Sequence, residues 1–325
     1  MAEWLYEQGI GEDRAILVED GGILEAAIEL PGTLRCGTVA QGRLTAILIP
    51  GRRGIVALDS AEVLVEPLPP RLAQGQTLRV EILREAISEP GRPKRARGRA
   101  SEADLREGPT LAERIGALSR PTSGPDRFEQ AGWSELLEEA ATGEIGFAGG
   151  ALRMSLTPAM TLFDVDGALP PADLAKAGAA AAGRAIRRLA IAGSIGIDLP
   201  TMAGRAERQA AAAALDAALP QPFERTAVNG FGFLQIVRRR ERASIAETVQ
   251  ADPAGAAARA LIRRAERAQG AGGLTIAAAP AVIARIEQAP QWLDALARRI
   301  GAPVGLRAEP GLAISAGHVQ SRFAT

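Results

Sequence analysis

In the stretch "TLFDVDGALP", residues 161–170, Asp164 and Asp166 stand two positions apart after an apolar run. Residues i and i+2 of an extended chain point to one face, so both carboxylates can converge on a single point. A third aspartate, Asp198, ends another apolar run, "SIGID". If the two runs are neighbouring strands of one sheet, joined by a crossover helix, Asp198 arrives beside Asp164. Three carboxylates at adjacent strand ends repel one another. A hard divalent cation such as Mg²⁺ relieves that repulsion through oxygen ligands and can neutralise charge on a phosphoryl oxygen. Two other readings fit the same residues: strand-end aspartates that cap loops, and a nucleophile with its general acid.

The elements that must position these residues can be read from the chain. "PADLAKAGAAAAGRAIRRLAIAG" predicts a long helix between the two aspartate-bearing strands, opening after a Pro-Pro and ending at Gly193. "GALRMSL" and "AMTLFDV" predict strands separated by Thr157-Pro158, and "AGRAERQAAAAALDAAL" a second helix before the strands "ERTAVN" and "GFLQIVRR". The remaining residues predict a helix over 254–269, a strand over 273–278, a helix over 280–300 and two short strands. Upstream, residues 1–30 read as two strands flanking Gly21-Gly22. Residues 33–86 hold short strand-like runs punctuated by Pro-Gly, Gly-Arg-Arg-Gly and Pro-Pro, a spacing that suggests a small barrel. A basic loop, "PGRPKRARGR" (90–99), closes that segment, and helical patterns around the turn "RPTSGPD" fill 101–148.

Composition narrows the chemistry. The chain of 325 residues is 47% hydrophobic, enough for a sizeable core, and carries no formal net charge, so any basic surface must be local. One cysteine, Cys36, excludes an intrachain disulfide and a Cys-rich zinc site. His318 is the single histidine, which argues against a Ser–His or Cys–His pair, and both residues read as structural or incidental. Hydrolytic chemistry here would rest on carboxylates. No signal-type or membrane-spanning run occurs, so a cytoplasmic protein without a membrane partner is the expectation.

Two family resemblances bear on the aspartates. "FDVDGAL" resembles the first motif of haloacid-dehalogenase-type phosphatases, which would make Asp164 a nucleophile and Asp166 its general acid. The threonine of that motif is Ala168 here, and the only later lysine is Lys176. The second resemblance covers most of the chain. "RAILVEDGGILEAAIE" resembles the N-terminal hairpin of ribonuclease E/G proteins, and "GTVAQGRLTAILIPGRRGIVALD" with "GQTLRVEILREAISEPGRPKRARGR" resembles their inserted RNA-binding barrel. "GGALRMSLTPAMTLFDVDG" and "AAAAGRAIRRLAIAGSIGIDLPTM" resemble the two stretches bearing that family's metal-binding aspartates, and "ERTAVNGFGFLQIVRRRERASI" the block that follows. The blocks keep the family's order.

The second resemblance implies an α+β multidomain protein. A hairpin (1–32) precedes an OB-fold barrel (33–100), a shortened helical connector (101–148) and a mixed, DNase-I-like α/β catalytic domain with a C-terminal α/β subdomain (149–325). It implies a Mg²⁺-dependent endoribonuclease, with Mn²⁺ a possible substitute, that cleaves single-stranded RNA to a 5′-phosphate and a 3′-hydroxyl in RNA processing or decay. Asp164 and Asp198 would hold the metal, with Asp166 orienting the first carboxylate or ligating directly. Arg238, Arg239 and Arg240 follow a strand, and if that strand neighbours Asp198, alternate arginines would face the scissile phosphate; Phe231 and Phe233 are candidate base stackers. Residues 31–100 contain no Phe, Tyr or Trp. Barrel affinity would therefore come from Arg43, Arg52, Arg53 and the loop bearing Lys94, Arg95, Arg97 and Arg99. The family's zinc-linking cysteine pair is missing after Ile245, so neither zinc nor a zinc-linked dimer is expected. The short connector leads us to expect no sensing of the RNA 5′ end. The alternatives are an RNA-binding relic of the same family without catalysis and the phosphatase.

Overall fold

The computed structural model describes residues 1–59, 61–88, 93–116, 125–268 and 272–321. Among the described residues the fold is mixed α+β, with three open sheets and one closed five-stranded barrel. The N-terminal sheet has three strands, β1 (Glu3–Gln8), β2 (Asp13–Glu19) and β3 (Gly22–Glu29), in the order β1-β2-β3. The expected hairpin is the β2–β3 pair, and β1 is an addition to it. The alternation of "EWLYEQ" is broken by Glu7, which is buried because Arg14 and Arg267 pair with it.

The barrel comprises β4 (Val39–Ile49), β5 (Arg53–Ala57), β6 (Glu62–Val65), β7 (Thr77–Arg84) and β8 (Ala96–Ala100), closed in the order β4-β5-β6-β8-β7. Leu44, Val56, Val63, Val65, Val80 and Ile82 fill its interior. The predicted basic loop is corrected here: residues 96–100 are the strand that closes the barrel, while 89–92 lie outside the described residues. Ala96 and Gly98 face inward and Arg97 and Arg99 outward. An added Cβ at Gly98 would stand 2.5 Å from Val80 Cγ1 and 2.8 Å from the Glu81 carbonyl oxygen, so the closure needs a residue without a side chain.

Three helices follow: α1 (Leu111–Ile115), α2 (Arg127–Gln130) and α3 (Trp133–Thr142). Most of the predicted turn "RPTSGPD" lies outside the described residues. Arg14 of β2, fully buried, lies over the rings of Phe128 and Trp133, at 4.1 and 5.2 Å from their centroids, and so ties α2 and α3 to the N-terminal sheet.

The central sheet has six strands: β9 (Glu144–Phe147), β10 (Gly150–Leu156), β11 (Thr161–Gly167), β12 (Gly193–Asp198), β13 (Glu224–Arg225) and β14 (Phe233–Arg238). Their order is β13-β14-β12-β11-β10-β9. Residues 144–147, expected in the connector, thus form an edge strand of this sheet. The crossover between β11 and β12 is α4 (Pro171–Arg188), and α5 (Arg205–Ala218) follows β12. The small residues of α4 allow close approach: Gly178 sits over Val165, and Gly183 against Leu215 and Ala218. These helices bury Leu152, Met154, Phe163, Val165, Ile195, Ile197, Leu234 and Ile236 on one face of the sheet. On the opposite face no helix of the described residues packs over Arg153, Asp164, Asp166 and Asp198, which are exposed.

The C-terminal part opens with α6 (Ile245–Ala251), which lacks a clear period in the sequence, although Ser244 and Glu247 form a capping box at its start. Then come α7 (Pro253–Glu266), β15 (Leu274–Ala278), α8 (Pro280–Glu287), α9 (Pro290–Ile300), β16 (Val304–Ala308) and β17 (His318–Ser321). The single helix expected over 280–300 is two, broken ahead of Pro290, whose ring cannot continue the hydrogen-bonded ladder. Strand β15 is buried along its whole length between β16 and β17.

Candidate active site on the open sheet face

Strands β11 and β12 pair in parallel, and the register places Asp164 directly beside Asp198. Phe163 and Ile197, one step earlier, are also partners and point into the core. Both aspartates therefore emerge on the open face, about 4.8 Å apart at the backbone. The alternation of apolar and acidic residues toward the end of each strand enforces this, because reversing either strand face would bury a carboxylate among helices.

The register extends the pair into a row. Arg153 of β10 is opposite Asp164, and Glu144 of β9 is opposite Arg153. On the other side Phe233 of β14 is opposite Asp198. Glu144, Arg153, Asp164, Asp198 and Phe233 thus cross five strands in one line, spanning roughly 19 Å. Gly196 keeps the aromatic end in place. An added Cβ there would come within 2.6 Å of Phe233 Cζ and 2.8 Å of Leu162 Cδ2, so both side chains lie over the bare backbone.

Asp166 lies on the same face but does not complete a three-carboxylate cage. Its carboxylate turns toward Arg153, 3.8 Å away, and Arg153 also approaches Glu144 at 3.5 Å. Among the described residues, no group of three or more His, Cys, Asp and Glu side chains is arranged to hold a metal ion. The expectation of three converging acids is corrected to a pair, Asp164 and Asp198. Such a pair fits Mg²⁺, which keeps several waters and is commonly held by one or two carboxylates.

The arginines expected at the acids are elsewhere. Strand β14 runs antiparallel to β12, so Phe233 lies at the Asp198 end and Arg238 at the Gly193 end, about 17 Å away along the strand. Arg238 shares the core-facing side of β14 with Leu234 and Ile236, and donates to the carbonyl of Ile191 at 2.9 Å. Burial pulls its pKa below the ordinary arginine value. Arg239 is exposed and pairs with Glu241 at 3.1 Å, while Arg240 pairs with Glu247.

Phe231 is 84% exposed. The Asn229 side-chain oxygen accepts the backbone N–H groups of Phe231 (2.9 Å) and Phe233 (3.0 Å), which fixes the turn that presents the ring.

The barrel cations are largely engaged with acids. Arg52, Arg53 and Arg97 surround Glu66, Arg99 and Arg106 share Glu81, and Arg95 meets Glu62. Arg43 donates to the Gly75 carbonyl at 3.0 Å. Three guanidiniums to one carboxylate at Glu66, and two to one at Glu81, still leave positive charge in excess. Between the barrel and the β10–β11 turn lies a cleft of about 870 Å³, with Arg53, Arg84, Lys94, Arg95 and Arg240 against Glu247 in its walls. Ser194, on the same strand face as Asp198 and four residues before it, forms part of the cleft wall. The open face thus runs from the carboxylates to the cleft over about 13 Å.

No protein-family model matches the chain, and no curated protein matches it significantly in sequence. Among the described residues, no helix is long and apolar enough to cross a membrane.

Proposed function

We propose that the protein is a Mg²⁺-dependent endoribonuclease of the ribonuclease E/G type acting on single-stranded RNA. The observation that carries this reading is the register pairing of Asp164 and Asp198 on an exposed sheet face. Mg²⁺ held by these two carboxylates would neutralise charge developing on the phosphoryl oxygens. In the net reaction water adds to phosphorus and the bond to the 3′ oxygen breaks, leaving a 5′-phosphate and a 3′-hydroxyl. Phe233, opposite Asp198, and the exposed Phe231 of the turn before it would supply planar surfaces on which unpaired bases stack. The barrel's strand order, with β6 and β8 parallel and β4 and β7 closing it, supports an OB-fold that presents RNA. The open six-stranded sheet with helices on its other face supports a DNase-I-like catalytic part. The phosphatase reading is weaker, because Lys176 belongs to α4, on the side of the sheet away from Asp164.

Incubation of an end-labelled single-stranded RNA with Mg²⁺ should yield internal cuts that EDTA abolishes. Asp164→Asn and Asp198→Asn should each lower the rate by about 100-fold or more, as expected when charge neutralisation worth several kcal/mol is lost. RNA binding should be kept or strengthened. Wild-type rates in both variants would refute the site. One observation favours a second reading, an RNA-binding protein without catalysis: Asp166 pairs with Arg153 rather than completing a metal cage. That reading predicts RNA binding and no metal-dependent cuts.

A further inference from the structure

We infer that Arg153 is the cation that contacts the scissile phosphate, in place of the arginine run after β14. The inference rests on the nuclease reading and adds a residue to it. Phosphodiester hydrolysis accumulates negative charge on the phosphoryl oxygens, and a guanidinium answers that charge with two parallel hydrogen bonds. The six strands of the central sheet carry three basic residues, Arg153, Arg225 and Arg238. Arg225 lies opposite the buried Ile236 and donates to Asp216 of α5 at 2.7 Å. Arg238 turns to the core. Arg153 alone of the three stands on the open face, in the row with both metal-binding candidates and next to Asp164.

Its surroundings suit a group that changes partners during turnover. The side chain is 63% exposed, and its two ion pairs, with Glu144 at 3.5 Å and Asp166 at 3.8 Å, are long. Exposed pairs of this kind contribute little, so turning the guanidinium toward a phosphate costs little. Glu144 and Asp166 flank it and keep it over the row when RNA is absent. Asp166 is then a positioning residue for Arg153, which explains why an acid two positions after Asp164 stays outside the metal pair.

The test measures RNA binding in EDTA, so it does not depend on turnover. A fluorescent single-stranded oligonucleotide is titrated with wild type, Arg153→Met and Arg153→Lys over a series of salt concentrations, after confirming equal thermal midpoints. Removing the charge that neutralises one phosphate should lower the slope of log K against log salt by about 0.7. We expect that drop in Arg153→Met and not in Arg153→Lys. With Mg²⁺ and saturating RNA, Arg153→Met should cleave at least tenfold more slowly, and lysine should restore the rate only in part, because it lacks the bidentate fork. A wild-type slope in Arg153→Met overturns the inference and leaves the nuclease reading standing. A lowered slope with an unchanged rate moves the contact to a neighbouring phosphate and overturns the assignment to the scissile one. Absence of both binding and cleavage in the wild type overturns the nuclease reading, and this inference with it.

Discussion

Gly196 shows how one missing side chain shapes the proposed site. It lies between Asp198 and Ser194 on the open face, and the Phe233 ring and Leu162 lie over its Cα. A methyl group there meets the ends of two side chains on a solvent-facing surface, so the backbone need not move. Gly196→Ala should therefore leave the urea midpoint nearly unchanged and swing the Phe233 ring off the row. If Phe233 stacks a base, the loss is about 1–3 kcal/mol of RNA affinity. Unchanged affinity, measured by fluorescence anisotropy, would remove Phe233 from the site. Gly196 sits in the plain apolar run "SIGID", and nothing in that string signals an aromatic neighbour two strands' width from Asp164. The contact depends on pairing partners that the local sequence does not name. Arg153 is different. Its alternation with Leu152 and Met154 already puts it on the acid face once the β10–β11 turn sets the register, but three consecutive arginines at 238–240 are the more conspicuous basic signal.

At the scale of elements, the N-terminal sheet is locked to the C-terminal part by charge buried in apolar surroundings. Glu12, in the β1–β2 loop, is almost wholly buried and is gripped by two arginines of α7: Arg259 donates to it at 2.7 Å, and Arg263 holds its other oxygen. Burial alone would raise its pKa, but the combined pull of Arg263 and Arg259 holds it below the ordinary glutamate value. A depressed carboxyl stabilises the fold above its unfolded pKa, and that contribution is lost as pH falls through the folded value. Acidification below the ordinary glutamate range should thus loosen the junction of the β1–β2 loop with α7. Glu12→Gln leaves both guanidiniums without their counter-charge and should cost about 3–5 kcal/mol at neutral pH. Its stability should also fall less on acidification than that of wild type. Urea unfolding of both proteins at neutral and acidic pH checks this, and equal acid sensitivity would count against it. The sequence makes legible the elements that read as apolar or amphipathic runs bounded by turn signals. These include β2, β3, most of the barrel, the α4 crossover and the strands carrying Asp164 and Asp198. It hides β1 because buried Glu7 reads as a surface residue, and β8 because its inward positions are Ala96 and Gly98 rather than branched apolar residues. The arginines of 238–240 depart from expectation for a topological reason. A strand beside β12 does not lie with its end at Asp198 unless it runs parallel, and β14 runs the other way.

For the molecule as a whole, the reversal of β14 separates two tasks that the order of blocks along the chain puts together. The carboxylate row lies at one end of the open face and the basic cleft at the other, against the barrel. Arg240 belongs to the cleft, with Arg53, Arg84, Lys94 and Arg95 from the barrel side. An RNA strand held in the cleft would be anchored about 13 Å from the acids. Charge in the cleft should then govern capture and leave the chemical step alone. Lys94→Glu combined with Arg95→Glu should raise KM at least tenfold and flatten the salt dependence of binding by about 0.7 for each phosphate no longer neutralised. The rate at saturating RNA should change less than twofold. Arg153→Met, on the acid row, should differ from it by slowing the rate at saturating RNA at least tenfold. A dinucleotide, whose single phosphodiester must lie at the carboxylates, cannot reach the cleft and should not distinguish the double variant from wild type. If the double variant is impaired by the same factor on a dinucleotide as on a long RNA, the cleft acts on the active row itself, and the separation of anchoring from chemistry along this sheet fails.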